Sequence, residues 1–396
     1  MTRTIQLLRE SDAARAERTL GLLLARPAQQ GDRFEQEPEV QSYLAETVVE
    51  QANALGLATE QDPMGSVIVR VGPTDAARRV ALFAYAMSHP AGRMVGAHEP
   101  TPIIGPDGRR RLRGRGAAEQ KGALASALLA MASLRAREGE LGGGVDLCVS
   151  PAGETGRHDA VRVFLDAASE PTYDWSIVSI GTNSQICVAN KGRIDATITV
   201  RGRSAHSGTP WAGLNAITGT VEVLRRLGDL ELGGEHPQLG RATLTPTAVH
   251  SFPPATHTVP DEVRIVIDRR LLPGDLPDPA LDEIRTALDG MAPYEVEVSP
   301  GPFMYPSEVG TDSDLVRLLE AAFEAAGHPD PGLRYSHGAI DAGYFNRHGI
   351  AAVMLGPGEQ ELWHTDDESV AIEDVLLCAS VYATAAFNHL AGWDGR

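Results

Sequence analysis

The sequence predicts an α/β protein in two parts, a large α/β domain and a smaller split βαβ (ferredoxin-like) domain inserted into it. Three features predict this. Up to about Gly192, helical segments alternate with short strands whose apolar runs are continuous, the pattern of a mostly parallel sheet covered on both faces. Near Gly192 the pattern changes to period two, and segments follow in the order strand, helix, strand, strand, helix, strand. After about Pro306 the α/β pattern returns and runs to the end. The implied boundaries are 1–192 and 304–396 for the large domain and 193–303 for the insert.

Each element has its own signal. "EVQSYLAETVVEQANALG" carries apolar residues at helical spacing, while "SVIVRVG" and "RVALFAYAM" are short strand-like runs. The Gly-rich turn "GRGAAEQKGA" opens an Ala/Leu helix from Lys121 to about Arg137, and "GGGVDLCVSPAG" and "DWSIVSIG" are buried strands. In the insert, "GRIDATITVRGRSAH" alternates as a half-exposed strand. The helix "GLNAITGTVEVLRRLGDL" follows, then the strands "RATLTPTAVH" and "DEVRIVIDRRLL", the helix "PALDEIRTALDGM" and the strand "YEVEVSP". His158 is read as a helix-start residue pointing outward.

Composition narrows the function. The chain has 396 residues, 42% of them hydrophobic, enough for a full core. A formal charge of −18 argues against nucleic acid or an anionic membrane as partner, since both would be repelled. The outer members of the cationic run "GPDGRRRLRGRG" read as a solvated hairpin edge. Cys148 and Cys378 lie in apolar segments, and with Cys187 they show no CxxC spacing, so buried reduced thiols in a reducing compartment are expected. The N-terminal stretch has interspersed charges and only a short apolar run, unlike a signal peptide or a membrane span. The expected location is the cytoplasm.

The loops "AYAMSHPAG", "GRGAAEQKGA", "SPAGETG" and "LWHTDDE", with "RGRSAHSGTPWAGLNA" in the insert, line up at strand ends. Together they resemble the co-catalytic zinc peptidase family of aminoacylase, acetylornithine deacetylase, succinyl-diaminopimelate desuccinylase and glutamate carboxypeptidase. The resemblance implies a three-layer αβα catalytic domain carrying an inserted dimerisation domain. It also implies a two-metal centre that activates a water, with a glutamate taking the proton.

Carried over position by position, the family pattern is broken. Its His-x-Asp falls on Ala86 and Ser88, its bridging Asp on Glu119, its catalytic Glu on Gly153 and the adjacent ligand on Glu154. The carboxylate before the insert falls near Ile180, and the final His is His364. Every ligand exclusive to one metal is therefore gone, together with the base. The other metal's ligands survive in type as Glu119, Glu154 and His364. Two readings stay open: no cofactor, with these three as a proton-transfer cluster, or a single Zn or Mn ion held by them.

The resemblance also implies binding roles. His206, in "AHSG", would reach across a homodimer to the substrate carbonyl or its oxyanion. Asn215 and Arg270 match positions for substrate carboxylate or carbonyl groups. His257 stands where the family usually has Asn. Gly338 in "SHGAIDAG" and Gly356 in "LGPG" fall in loops that line the pocket floor. His89, beside the lost ligand, is a candidate replacement acid or base.

Retained binding residues beside a dismantled hydrolytic site favour a repurposed enzyme. The expected substrate is a small amide, N-acyl amino acid or amino-acid-like metabolite, processed by metal-independent cyclisation, acyl transfer, elimination or isomerisation. The alternatives are a single-metal amidohydrolase and a catalytically inactive ligand-binding dimer.

Overall fold

The structure is a computed structural model that describes residues 10–73, 75–153, 157–167 and 173–391. The chain divides into two compact units, one of Met1–Ala189, Glu308–Tyr335 and Tyr344–Arg396, the other of Asn190–Ser307 and Ser336–Gly343.

The larger unit is built on a nine-stranded sheet in the αβα style. Its centre runs Gly144–Ser150, Arg79–Tyr85, Trp175–Ser179, Ala351–Leu355, and these strands are mutually parallel. The expectation of a mostly parallel sheet holds only there. On one side Val67–Val71 pairs antiparallel with Gly144–Ser150, and Thr59–Gln61 pairs antiparallel with Val67–Val71. On the other side Ile186–Asn190 meets Ala351–Leu355 antiparallel. The sheet is mixed for a physical reason: residues 72–78 are too few for the helical crossover that would return the chain parallel to Val67–Val71.

Two helices are apolar nearly all round, Gly122–Arg135 and Ile372–Leu390, and they pack on one another as a buried pair. Cys148, Cys187 and Cys378 are buried free thiols. The run 39–56 forms helix, but with a wide π turn at Leu44–Val48 between Pro38–Tyr43 and Val49–Ala54. The cationic run does make a hairpin, Thr101–Ile104 with Arg110–Arg113. Two of its arginines are nonetheless buried: Arg111 pairs with Glu359, and Arg115 with Glu368. Among the described residues no helix is long and apolar enough to cross a membrane.

The smaller unit is a four-stranded antiparallel sheet in the order Thr243–Phe252, Glu262–Leu271, Gly192–Arg201, Glu295–Met304. Helices Ala216–Asp229 and Pro277–Ala287 cover one face. They bury Val223, Leu281 and Ile284 against Ile194, Ile198, Ile265 and Ile267. Alternation along Glu262–Leu271 sets this up, because every second residue is buried. The unit also takes in Ser336–Gly343, which the sequence reading left in the large domain. Backbone contact explains the difference: Lys191 N donates to Ser336 O at 3.0 Å, and Gly343 packs so closely on Tyr305 O that a Cβ there would lie 2.2 Å away.

Candidate functional site

In the larger unit the site forms at the carboxyl ends of the parallel strands, where loops of α/β sheets gather. The strand Arg79–Tyr85 runs into Ala86, Met87 and Ser88, all buried. This segment is held by backbone bonds. Ser88 N donates to Ala28 O at 2.8 Å, and Gln30 N donates to Ser88 O at 3.1 Å. His89 follows and is exposed.

The loop after Arg113 turns on Gly116, whose φ of 84° favours glycine, and enters a π turn over Ala117–Lys121. The helix thus begins before Lys121, where the sequence reading started it, and Glu119 lies inside the wide turn. Glu368, fully buried, organises this loop. It accepts from Gly116 N (2.9 Å), Ala118 N (3.1 Å) and Glu119 N (3.2 Å) and pairs with Arg115 at 2.9 Å. Arg115 in turn donates to Ala91 O and Thr365 O, both at 3.0 Å. Burial raises the Glu368 carboxyl above its ordinary range, while the N–H groups and Arg115 pull the other way. The sequence reading missed Glu368, although a carboxylate four residues after His364 and just before a strand was a usable signal.

Glu119 and His364 meet. The His364 imidazole stands 3.1 Å from Glu119 Oε1 through Nε2, on a backbone with φ of 60°. The two differ in access: the His364 side chain is 42% exposed and that of Glu119 only 1%. The carboxylate thus belongs to the core while the imidazole faces outward. His89 stacks on His364 with ring centroids 3.9 Å apart and planes 18° apart. Burial lowers the His89 pKa, the neighbouring His364 lowers it further, and Glu119 opposes both. Glu119 Oε2 is buried and, among the described residues, has no hydrogen-bond partner. Gly356 is buried, with its N donating to Thr182 Oγ1 and its O accepting from Thr182 N. A Cβ there would lie 2.3 Å from Ile180 O, so only glycine fits.

The residues present do not fit a two-metal centre. Ala86, Gly153 and Ile180 carry no donor side chain, and Ser88 offers only a hydroxyl. Gly153 could not regain a carboxylate without rearrangement, because a Cβ there would sit 2.6 Å from Cδ1 of Tyr85. For a single ion, Glu119 and His364 are suitable donors by type, and Glu154 lies outside the described residues. Among the described residues no three His, Cys, Asp or Glu side chains are placed to hold an ion as they stand.

The remaining candidates lie in the smaller unit. His206 begins an exposed loop whose two-residue strand pairs with Thr258–Val259, and Ser207 N donates to His257 O at 2.9 Å, so His206 and His257 are neighbours. The His206 Nδ1 accepts from Gly208 N at 3.0 Å. Asn215 is the N-cap of Ala216–Asp229, its side chain accepting from Ile217 N at 2.9 Å, a structural use the sequence reading did not assign. Arg270 holds Asp268 through Nε (2.9 Å) and Nη2 (3.0 Å), so its fork is filled from within the chain. Gly338 N donates to Ser336 Oγ at 3.1 Å. His158, back in the larger unit, is buried against Tyr344, 5.1 Å between ring centroids, instead of pointing outward.

The chain is 27% identical over 352 residues to the uncharacterized protein YgeY of Escherichia coli K12, covering 84% of this chain and 85% of that protein. It is 28% identical over 294 residues to a succinyl-diaminopimelate desuccinylase of Rhodospirillum centenum, covering 72% and 75%. The fold matches the Bacillus subtilis YXEP protein, described as a dinuclear metal binding peptidase, with a TM-score of 0.69 at 15% identity over 96% of this chain and 99% of that one. The sequence profile described as "Peptidase family M20/M25/M40" matches residues 90–388. The chain belongs to that family.

Proposed function

We propose that this protein is an enzyme of a small amide, N-acyl amino acid or related amino-acid-like metabolite that works without a two-metal hydroxide. The observation that carries the reading is the 3.1 Å contact between His364 and Glu119, in a site where Ala86, Gly153 and Ile180 stand at ligand or base positions without a donor side chain. The exposed imidazole is the group a substrate can reach. It gives or takes the proton at the reacting atom, while the buried Glu119 carboxylate fixes its ring and stabilises the imidazolium. His89, stacked on the same ring, limits how His364 can turn. Without an activated water, cyclisation, acyl transfer, elimination or isomerisation is favoured over hydrolysis. The test is turnover of a panel of N-acyl amino acids and dipeptides before and after exhaustive chelation. Activity that survives chelation supports the reading; activity that vanishes and returns with zinc contradicts it.

A second reading has its own support. The unpartnered, buried Glu119 Oε2 is an oxygen that a cation would satisfy, and orphaned buried oxygens are uncommon. Under it Glu119, Glu154 and His364 would hold one zinc or manganese ion, which would act as a Lewis acid toward an amide carbonyl.

The protein is also proposed to be a cytoplasmic homodimer joined through the smaller unit, with His206 serving the partner's site. Thr243–Phe252 is the edge strand of its sheet, with Val249 and Phe252 exposed, and helix Ala216–Asp229 exposes Ile217 and Val221. Unpaired strand edges with apolar side chains are prone to association. Light scattering at micromolar concentration should give twice the 42.1 kDa chain mass, and Val249→Lys should shift the protein to monomer. A wild-type monomer would contradict both the dimer and the role of His206.

A further inference from the structure

A cleft of about 670 Å³ opens in the larger unit at the amino ends of the parallel strands, the end opposite the His364 site. Trp175 and Ala351, the first residues of their strands, line it, and Leu315 and Leu318 of helix Asp314–Ala325 give it an apolar side. Its size suits a small molecule, for which clefts of about 300–1,000 Å³ are usual. Every residue that lines it belongs to this one unit.

The wall holds donors that the chain does not use. Trp175 is only 3% exposed, yet its indole Nε1 has no hydrogen-bond partner among the described residues. Buried donors are seldom left so, because each forfeits its bond to water. Arg78 contacts Asp174 through Nε at 3.5 Å and His389 through Nη2 at 3.1 Å, which engages only some of the five N–H groups of a guanidinium. Trp175 and Arg78 flank the same imidazole, with the rings of Trp175 and His389 5.7 Å apart. Ser313 caps the helix by accepting from Val316 N at 3.3 Å, and the other N–H groups of that first turn have no partner within the helix.

The charges around the cleft cancel. Arg78 is matched by Asp174, and Arg317 donates to Asp314 at 2.6 Å. Burial lowers the His389 pKa, against the opposing hydrogen bond with Asp174, and Arg78 lowers it further, so the ring adds no charge at neutral pH. Asp174 is taken up by His389 at 2.6 Å and by Arg78, while the Asp314 side chain is fully exposed. A lining with both signs and no net charge suits a ligand of the same kind.

We infer that this cleft is a second binding site, for a free α-amino acid with an apolar side chain. The carboxylate accepts from Arg78 and from the Trp175 indole N–H, the ammonium meets Asp314, and the side chain lies on Leu315 and Leu318. The site is separate from His364 and does not depend on what is catalysed there.

The test is a proton–nitrogen correlation spectrum of the indole groups of the full chain, titrated with three probes. These are L-leucine, 4-methylpentanoate, which lacks the ammonium, and 3-methylbutan-1-amine, which lacks the carboxylate. The chain has four tryptophans, and Trp175→Phe identifies the Trp175 signal. Leucine should move that signal downfield, as a newly made hydrogen bond does. It should bind about tenfold tighter than either analogue, the worth of one charge-assisted hydrogen bond. Trp363, next to His364, reports separately on binding at the catalytic site. Arg78→Met should weaken leucine binding at Trp175 about tenfold and leave the Trp363 response as it was. The three probes on the unaltered protein carry the test if that variant misfolds. A Trp175 signal unmoved by millimolar leucine, an equal response to all three probes, or undiminished binding in folded Arg78→Met overturns the assignment.

Discussion

His364→Ala and Glu119→Gln are each expected to lower turnover by about 10²–10⁴-fold, the usual worth of general acid–base catalysis. His364→Ala also removes the hydrogen-bond partner of the buried Glu119 carboxylate, so some stability is expected to be lost along with the rate. Glu119 is buried, and Gln keeps its shape while removing the charge that orients the imidazole. Rates are therefore compared at a temperature where both variants are shown to be folded. If one ion is held at the site instead, the same substitutions should reduce metal content as well, and added zinc should partly rescue the Gln variant. Steady-state kinetics with metal content measured on the same samples separates these outcomes. Full activity in both variants would place the chemistry elsewhere, on His206 or His89.

Glu368→Ala should destabilise the larger unit by about 3–5 kcal/mol, the cost of removing one partner from a buried ion pair. The reason is local: Arg115, 1% exposed, would be left without its carboxylate, and Gly116, Ala118 and Glu119 would lose their N–H acceptor. Because one of those amides is that of Glu119, activity should fall with stability. Urea unfolding gives the first quantity. Hydrogen exchange at Gly116, Ala118 and Glu119 gives a local readout, since these amides should exchange early in the variant. A loss below about 1 kcal/mol, the level of an exposed pair, would show that Glu368 does not hold the loop.

Much of the fold was legible because burial leaves a periodic record. The alternation in Glu262–Leu271 and the all-apolar helix Gly122–Arg135 could be read directly. What periodicity does not record is strand direction and pairing, which explains why the large sheet was read as mostly parallel while its flanking strands are antiparallel. The π turn at Ala117–Lys121 was invisible for a similar reason, since a widened turn changes hydrogen bonding without changing composition. At the site, identity at a position told which donors were missing. It could not tell that Tyr85 fills the space beside Gly153, or that Asp268 occupies Arg270, because both depend on side-chain geometry. His158 was misplaced by the habit of reading a polar residue at a helix start as exposed; here it packs on Tyr344.

The central claim is that this family member has given up the two-metal centre. Elemental analysis of protein purified without chelator and dialysed against zinc tests it most directly. With Ala86, Gly153 and Ile180 lacking donors, no more than one equivalent of tightly held metal per chain is expected; two equivalents retained through dialysis would contradict the account.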